Sequence, residues 1–348
     1  PVSQEGTFIP KDLEGEAKEG EEEIKTGWDY LLRASANFAV NNNKRVVGAP
    51  DGTNLNFGMI IVGAADYLSD NTQHEWLNSL NWQLGFAKTP IIDEVYKNAD
   101  SLDFETVYLY HLPPVPWLGP FAAFQLKTVV FPSYAVFGAD SAVIYRDTAG
   151  AAVDADGNAL PDADGDGNPD PVTVLGNDRI DLTDAFAPTT LRESLGVFAA
   201  PIDKPLIKLD ARLGFGFWET FVRDGYTIAD YDAAILEIVP MQDVVELGPE
   251  LRIAATGHIH KFVNSGARAL FMLPVYTSVA TDIEGIDKLN MEFDFSLGVK
   301  LWDWASIDYL FKAYKLPMIF NDWQIQNSLL LSINFSIVGE RGAEGTDG

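Results

Sequence analysis

The sequence predicts an all-β fold: a transmembrane antiparallel β-barrel of about twelve strands, with one very long loop at residues 138–190. Three observations lead there. From Trp28 onward, polarity alternates with period two in segment after segment. The connections between those segments alternate between short and long. Trp and Tyr gather near segment ends or on the apolar face, where one end of the ring meets hydrocarbon and the other meets water.

Composition sets the limits. The 348 residues are 47% hydrophobic and 12% aromatic, enough apolar surface for a large core or a lipid-facing wall. The formal net charge of −27 leaves no basic stripe to neutralise phosphates, so nucleic acid is not an expected partner. The absence of cysteine excludes disulfides, thiolate zinc sites and cysteine nucleophiles. No apolar run reaches the roughly 18 residues of a membrane helix, but a spanning strand needs only about 9–11 residues of alternating polarity. Pro1-Val2-Ser3-Gln4 has neither the basic nor the apolar part of a signal peptide, so the expectation is a mature chain after signal-peptide removal.

Residues 1–26 read as an acidic, solvated extension, with Glu21, Glu22 and Glu23 in a row. The barrel is expected over 27–338. Its first strand, 28–40, sets Tyr30, Leu32, Ala34, Ala36, Phe38 and Val40 against Asp29, Arg33, Ser35 and Asn37. The second, 54–68, is the weakest, because Ile60 and Val62 fall on its nominally polar face. The next are 75–87, 102–112, 120–131, 191–200, 205–219, 244–258 and 267–279. The tenth, 289–302, alternates most cleanly, with Phe293, Phe295, Leu297 and Val299 opposing Glu292, Asp294, Ser296 and Lys300. Strands at 305–314 and 323–337 follow, then a tail at 339–348.

Connections after the even-numbered segments are short, such as PPVP, PIDK and DWA, whereas those after the odd-numbered ones are mostly longer. A soluble sandwich has no reason to place its long loops on every second turn. A transmembrane barrel has one, with short periplasmic turns and long extracellular loops. An even strand count returns both termini to the periplasm.

The opening Gly27-Trp28 with Asn37-Phe38-Ala39, the stretches GTNLNFGMIIVGAADY and HEWLNSLNWQLGFAKT, and the ending SLGVKLWDWASIDYLFKAYKLPMIFNDWQIQNSLLLSINFSI carry a resemblance. Through them the chain resembles porin-like outer-membrane β-barrels of Gram-negative bacteria, and more narrowly an uncharacterised outer-membrane barrel family of Bacteroidota. The resemblance covers about two thirds of the chain and rests on loose motifs. It implies integral placement in the bacterial outer membrane, among its lipid and lipopolysaccharide, and supplies no activity to transfer. Outer-membrane proteins commonly end on an aromatic residue; here thirteen residues follow Phe335.

With the polar face turned inward, the lumen is expected to hold Asp29, Glu105, Asp210, Glu246, Glu250, Glu292, Asp294 and Asp308 with Arg33, Lys127, Lys208, Arg212, Arg252, Lys300 and Lys312. This near balance predicts ion pairs across the lumen that narrow a small pore. Arg33, Lys127, Arg212, Arg252, Glu292, Asp294 and Lys300 are the expected lining of a small, weakly selective path for passive diffusion. The alternative is a non-conducting barrel whose external loops contact a partner or the cell surface.

DADGNALPDADGDGNPD puts Asp154, Asp156, Asp162, Asp164, Asp166 and Asp170 in one stretch. Asp162, Asp164, Asp166 and Asp170, with Gly167, match alternate ligand positions of a Ca²⁺ loop, but Thr173 stands where an EF-hand has its bidentate Glu. Two readings stay open: an external Ca²⁺ site, or an acidic solvated loop. A protein partner is expected, if anywhere, at the external loops or the N-terminal extension. His258 and His260 read as a polar strand end or a metal pair. No Ser–His pair or Gly-rich phosphate loop is evident, so no enzymatic activity is expected.

Overall fold

The computed structural model describes residues 26–43, 52–88, 92, 94–163, 165, 167–204, 206–229, 233–260, 262–302, 304–318 and 320–339. The acidic extension and the C-terminal tail lie outside the described residues almost entirely. Twelve long strands form the frame: β1 (Gly27–Asn43), β2 (Gly52–Leu68), β3 (His74–Lys88), β4 (Tyr96–Tyr110), β5 (Leu118–Thr128), β6 (Thr189–Lys204), β7 (Ile207–Phe221), β8 (Val244–His260), β9 (Val263–Met272), β10 (Asn290–Trp302), β11 (Ala305–Leu316) and β12 (Phe320–Gly339). Each pairs antiparallel with its neighbours in sequence, and β12 returns to β1 with Gly339 opposite Tyr30. The ring is closed. Closure is what hydrocarbon demands, because every backbone N–H and C=O in the wall then finds a partner.

The period-two pattern sorts side chains between lipid and lumen. Along β1, Tyr30, Leu32 and Phe38 point outward and are about half exposed, while Leu31, Arg33 and Ser35 are buried inside the ring. Along β12, Leu329, Leu331, Ile333, Phe335 and Ile337 face out, and Gln324, Leu330 and Ser332 face in. Trp28, Tyr67 and Trp76 touch one another near the short-turn rim, with ring centroids 5.3 and 6.5 Å apart, and Trp302 stacks on Trp304 at 5.4 Å. These are girdle positions.

Two expectations need correction. The ninth strand is β9, 263–272, rather than 267–279: the turn before it is tighter than the sequence suggested. Pairing runs from Val263 opposite Val299 to Met272 opposite Asn290. Pro274, which has no N–H to donate, lies just beyond it. The lumen is also less uniformly polar than expected. Ile60 and Val62 do point inward, and they pack there against Leu310 and Leu330.

At one place in the wall two strand backbones leave no room for a side chain. Gly196 and Gly214 face each other across β6 and β7 on the lumen side. A Cβ on Gly196 would lie 2.1 Å from the Leu213 carbonyl oxygen, and one on Gly214 would lie 2.4 Å from that of Leu195. Only glycine fits here.

The long connection, 129–188, is itself folded. Ser133–Val136 pairs with Arg179–Thr183. Ser141–Arg146 pairs with Ala152–Val153 and Val172–Val174, and also runs parallel to Ile235–Pro240 of the β7–β8 connection. The two sheets enclose a core of Ala135, Val143, Ile180, Leu182, Ile228, Leu236 and Ile238. Val143 and Ile238 are fully buried, each contributing about 1.5–3 kcal/mol of transfer free energy. This cap is fastened to the mouth at β4. The Asp100 carboxylate accepts the Val130 and Phe131 N–H groups, and Lys97 Nζ donates to Asp100 and to the Phe131 carbonyl.

Candidate functional site

The barrel wall brings Arg33, Lys127, Arg212, Arg252, Glu292, Asp294 and Lys300 to the lumen face. Two carboxylates organise most of them. Glu292, near the start of β10, accepts from Arg192 Nη2 at 2.6 Å and from Lys127 Nζ at 3.2 Å. Glu105, midway along β4, accepts at Oε2 from Arg252 Nη2, 2.9 Å away, and at Oε1 from both Arg212 Nη1, 3.4 Å away, and Arg252 Nη1. β4 and β8 are four strands apart around the ring, as are β6 and β10. These pairs therefore cross the lumen rather than run along its wall. Asp294 pairs with Arg268 on the adjacent strand, Nη2 to Oδ2 at 2.6 Å.

Arg192, Arg268 and Asp103 are lumen residues that the sequence reading did not name. The signal was present: Leu191, Leu195 and Val197 alternate outward and force Arg192 inward, and Asp103 stands two residues before Glu105 on the same face. Arg192 also lies over the Trp218 ring, 3.9 Å from its centroid. Gln125 donates to both Asp103 oxygens, at 2.8 and 3.0 Å.

Apolar groups fill the space around these charges. Toward the short-turn rim lie Val107, Leu109, Phe121 and Phe198; toward the long-loop rim lie Trp218, Leu270, Met272, Tyr314 and Leu316. Among these groups lie cavities of about 20 Å³ each, close to the room for a single water. One is lined by Arg33, Ile60, Asp308 and Leu330, another by Glu105, Arg192, Arg212, Glu250 and Arg252. Lys300 is half-buried near the short-turn rim.

On the cap, Asp154 accepts from the Asn158 and Asp156 N–H groups, and the first of these with the Asn158 side chain holds its carboxyl below the usual range. Asp162 accepts from the Gly165 and Gly167 N–H groups, and Asp170 from that of Ala163. Asp156 is exposed. Asp164 and Asp166 lie outside the described residues. Among the described residues, no group of three or more His, Asp or Glu side chains is arranged to hold a metal. A bulge separates His258, which meets Asn264, from His260, which lies beside Phe262.

His111, in the turn after β4, contacts Glu75 through Nε2 at 2.9 Å and the Pro116 carbonyl through Nδ1 at 2.6 Å. The Glu75 hydrogen bond raises its pKa against the opposing effect of partial burial. A His pKa raised by folding stabilises fully below the unfolded value of about 6.5, and that contribution is lost as pH rises through the folded pKa. The His111 ring should titrate by NMR above its ordinary range, and Glu75→Gln should bring the midpoint down. A midpoint unmoved by that substitution would discount the pair.

No family model matches the chain, and no curated protein matches it. Solved structures with a related shape include an outer membrane channel from Pseudomonas putida F1, 7% identical, covering 95% of this chain and 100% of that one at a TM-score of 0.40. The translocator domain of the autotransporter NalP from Neisseria meningitidis is 7% identical over 90% of each chain, with a TM-score of 0.35. A TodX monoaromatic hydrocarbon channel mutant is 9% identical over 91% of this chain and 90% of that one, with a TM-score of 0.36.

Proposed function

We propose that the protein is an integral barrel of the bacterial outer membrane that serves as a narrow channel for passive diffusion of small solutes, with its short turns in the periplasm and its cap outside, among lipid and lipopolysaccharide. The observation that supports this is the lumen itself. It is built from charged and hydrogen-bonding groups in near balance, bridged at Glu105 and Glu292 with room for about one water beside them, so conduction requires these bridges to open. Such a lumen is narrow and poorly selective by charge sign. Purified, heat-modifiable protein in planar bilayers should give small conductance steps, and Glu105→Gln, which removes a cross-lumen bridge, should enlarge them. No steps from either protein would sink the channel reading.

The cap favours a second reading, a non-conducting barrel that displays a binding surface, because a loop with its own hydrophobic core presents a fixed face. In that reading the aspartate stretch is a Ca²⁺ site that stiffens the cap for a partner. Calorimetry with Ca²⁺ tests it; absence of binding at millimolar Ca²⁺ removes the metal from the proposal.

A further inference from the structure

Five successive strands each place one cation inside the lumen: Lys127 on β5, Arg192 on β6, Arg212 on β7, Arg252 on β8 and Arg268 on β9. Arg212 and Arg252 stand directly opposite each other in the ladder. Like charges in that position repel. One carboxylate from across the lumen, that of Glu105, bridges them, and Arg252 grips it with both terminal nitrogens, while Arg212 also pairs with Asp210 at 3.8 Å. This is the fork geometry by which Arg takes any carboxylate. Arg212, Arg252 and Glu105 line one cavity together with Arg192, Glu250, Gln125 and Ser194, and Phe121, Ala123 and Leu270 form the apolar part of its wall. Polar heads and apolar walls thus meet at one place. The Glu105 side chain beyond its Cα is, chemically, a short acid: two methylenes and a carboxylate.

We propose that this cavity is a binding site for small monocarboxylates with a short apolar tail, and that Glu105 occupies the head position when no solute is bound. The solute carboxylate sits on Arg212 and Arg252, its tail lies against Phe121 and Leu270, and Glu105 swings aside into the lumen, giving up the volume its own methylenes held. The inference deepens the channel reading, since it names the solute class, and it rests on the lumen being a solute path.

The test is calorimetry on the full chain in detergent, with sodium butyrate as the probe and butyramide as its neutral counterpart of the same size. Butyrate should bind saturably and at least about tenfold more tightly than butyramide, a difference expected when a charged hydrogen-bonded head is lost. Glu105→Gln should tighten butyrate by removing the internal competitor, and Arg252→Gln should weaken it. If Arg252→Gln does not fold, Glu105→Gln and the butyramide comparison still decide. Equal binding of butyrate and butyramide, no butyrate binding, or weaker binding to Glu105→Gln would overturn the site. Bilayer conductance on the same preparation separates the two claims: conductance without butyrate binding removes this site alone, and butyrate binding without conductance removes the channel alone.

Discussion

Glu292→Ala should destabilise the barrel by about 3–5 kcal/mol, the loss expected when one partner of a buried ionic group is removed and the others stay. Glu292 is 4% exposed at its side chain, and it is the acceptor for both Lys127, at 8%, and Arg192, at 7%. Removing it takes the bridging carboxylate away from two cations where little water reaches them. Urea unfolding followed by tryptophan fluorescence in detergent or bilayers reads the effect as a shift in midpoint. Changing Lys127 and Arg192 to methionine in the same chain should recover most of the loss, because the buried charges that had lost their bridging carboxylate are then gone. The exposed pair Arg179–Glu94 is the control: both side chains are more than half exposed, and Glu94→Ala should cost less than about 1 kcal/mol. A Glu292→Ala effect as small as that of Glu94→Ala would mean the lumen is wetter than its packing indicates.

Leu213→Arg should cost about 2–4 kcal/mol, the depth-dependent penalty for a cation on the lipid face near mid-membrane. Leu213 lies midway along β7, points outward, and is 56% exposed in the bare barrel, flanked by Val197 and Leu251 on the neighbouring strands. This measurement separates lipid from water. On a soluble protein the same substitution at an exposed position would stay within about 0.5 kcal/mol, because the charge would simply be hydrated. Folding into lipid vesicles with urea titration gives the number, and a value inside that smaller range would count against a membrane-facing wall.

The frame was legible because a lipid-facing strand states its orientation residue by residue. Leu289 to Leu301 alternates without a break, and β10 occupies that stretch with Phe295 outward and Glu292 and Asp294 inward. Ile60 and Val62 looked like a flaw in the second strand and are instead part of an apolar patch within the lumen. The ends of β9 were misplaced because hydrophobicity continues through Phe271 and Leu273 toward Val275, while pairing with β10 stops at Met272. What could not be read was who meets whom across the ring. Glu105 and Arg252 are 147 residues apart, and nothing local distinguishes the carboxylate that bridges from one that merely faces water. The cap was read as a loop, either a Ca²⁺ site or an acidic solvated stretch, and not as a folded unit, since its core draws single apolar residues from several short strands and two separate connections.

That shared core bears on how the chain reaches its final state. Glu237, in the strand that runs parallel to Ser141–Arg146, lies 91 residues after its partner Arg146, with β6 and β7 in between. The core takes residues from both connections, so it is complete only when both lie at the same rim of the barrel. Once Val143 and Ile238 are buried, drawing either hairpin back would mean exposing them again. The cap is then a catch: it ties the β5–β6 and β7–β8 connections to each other at one rim of the barrel.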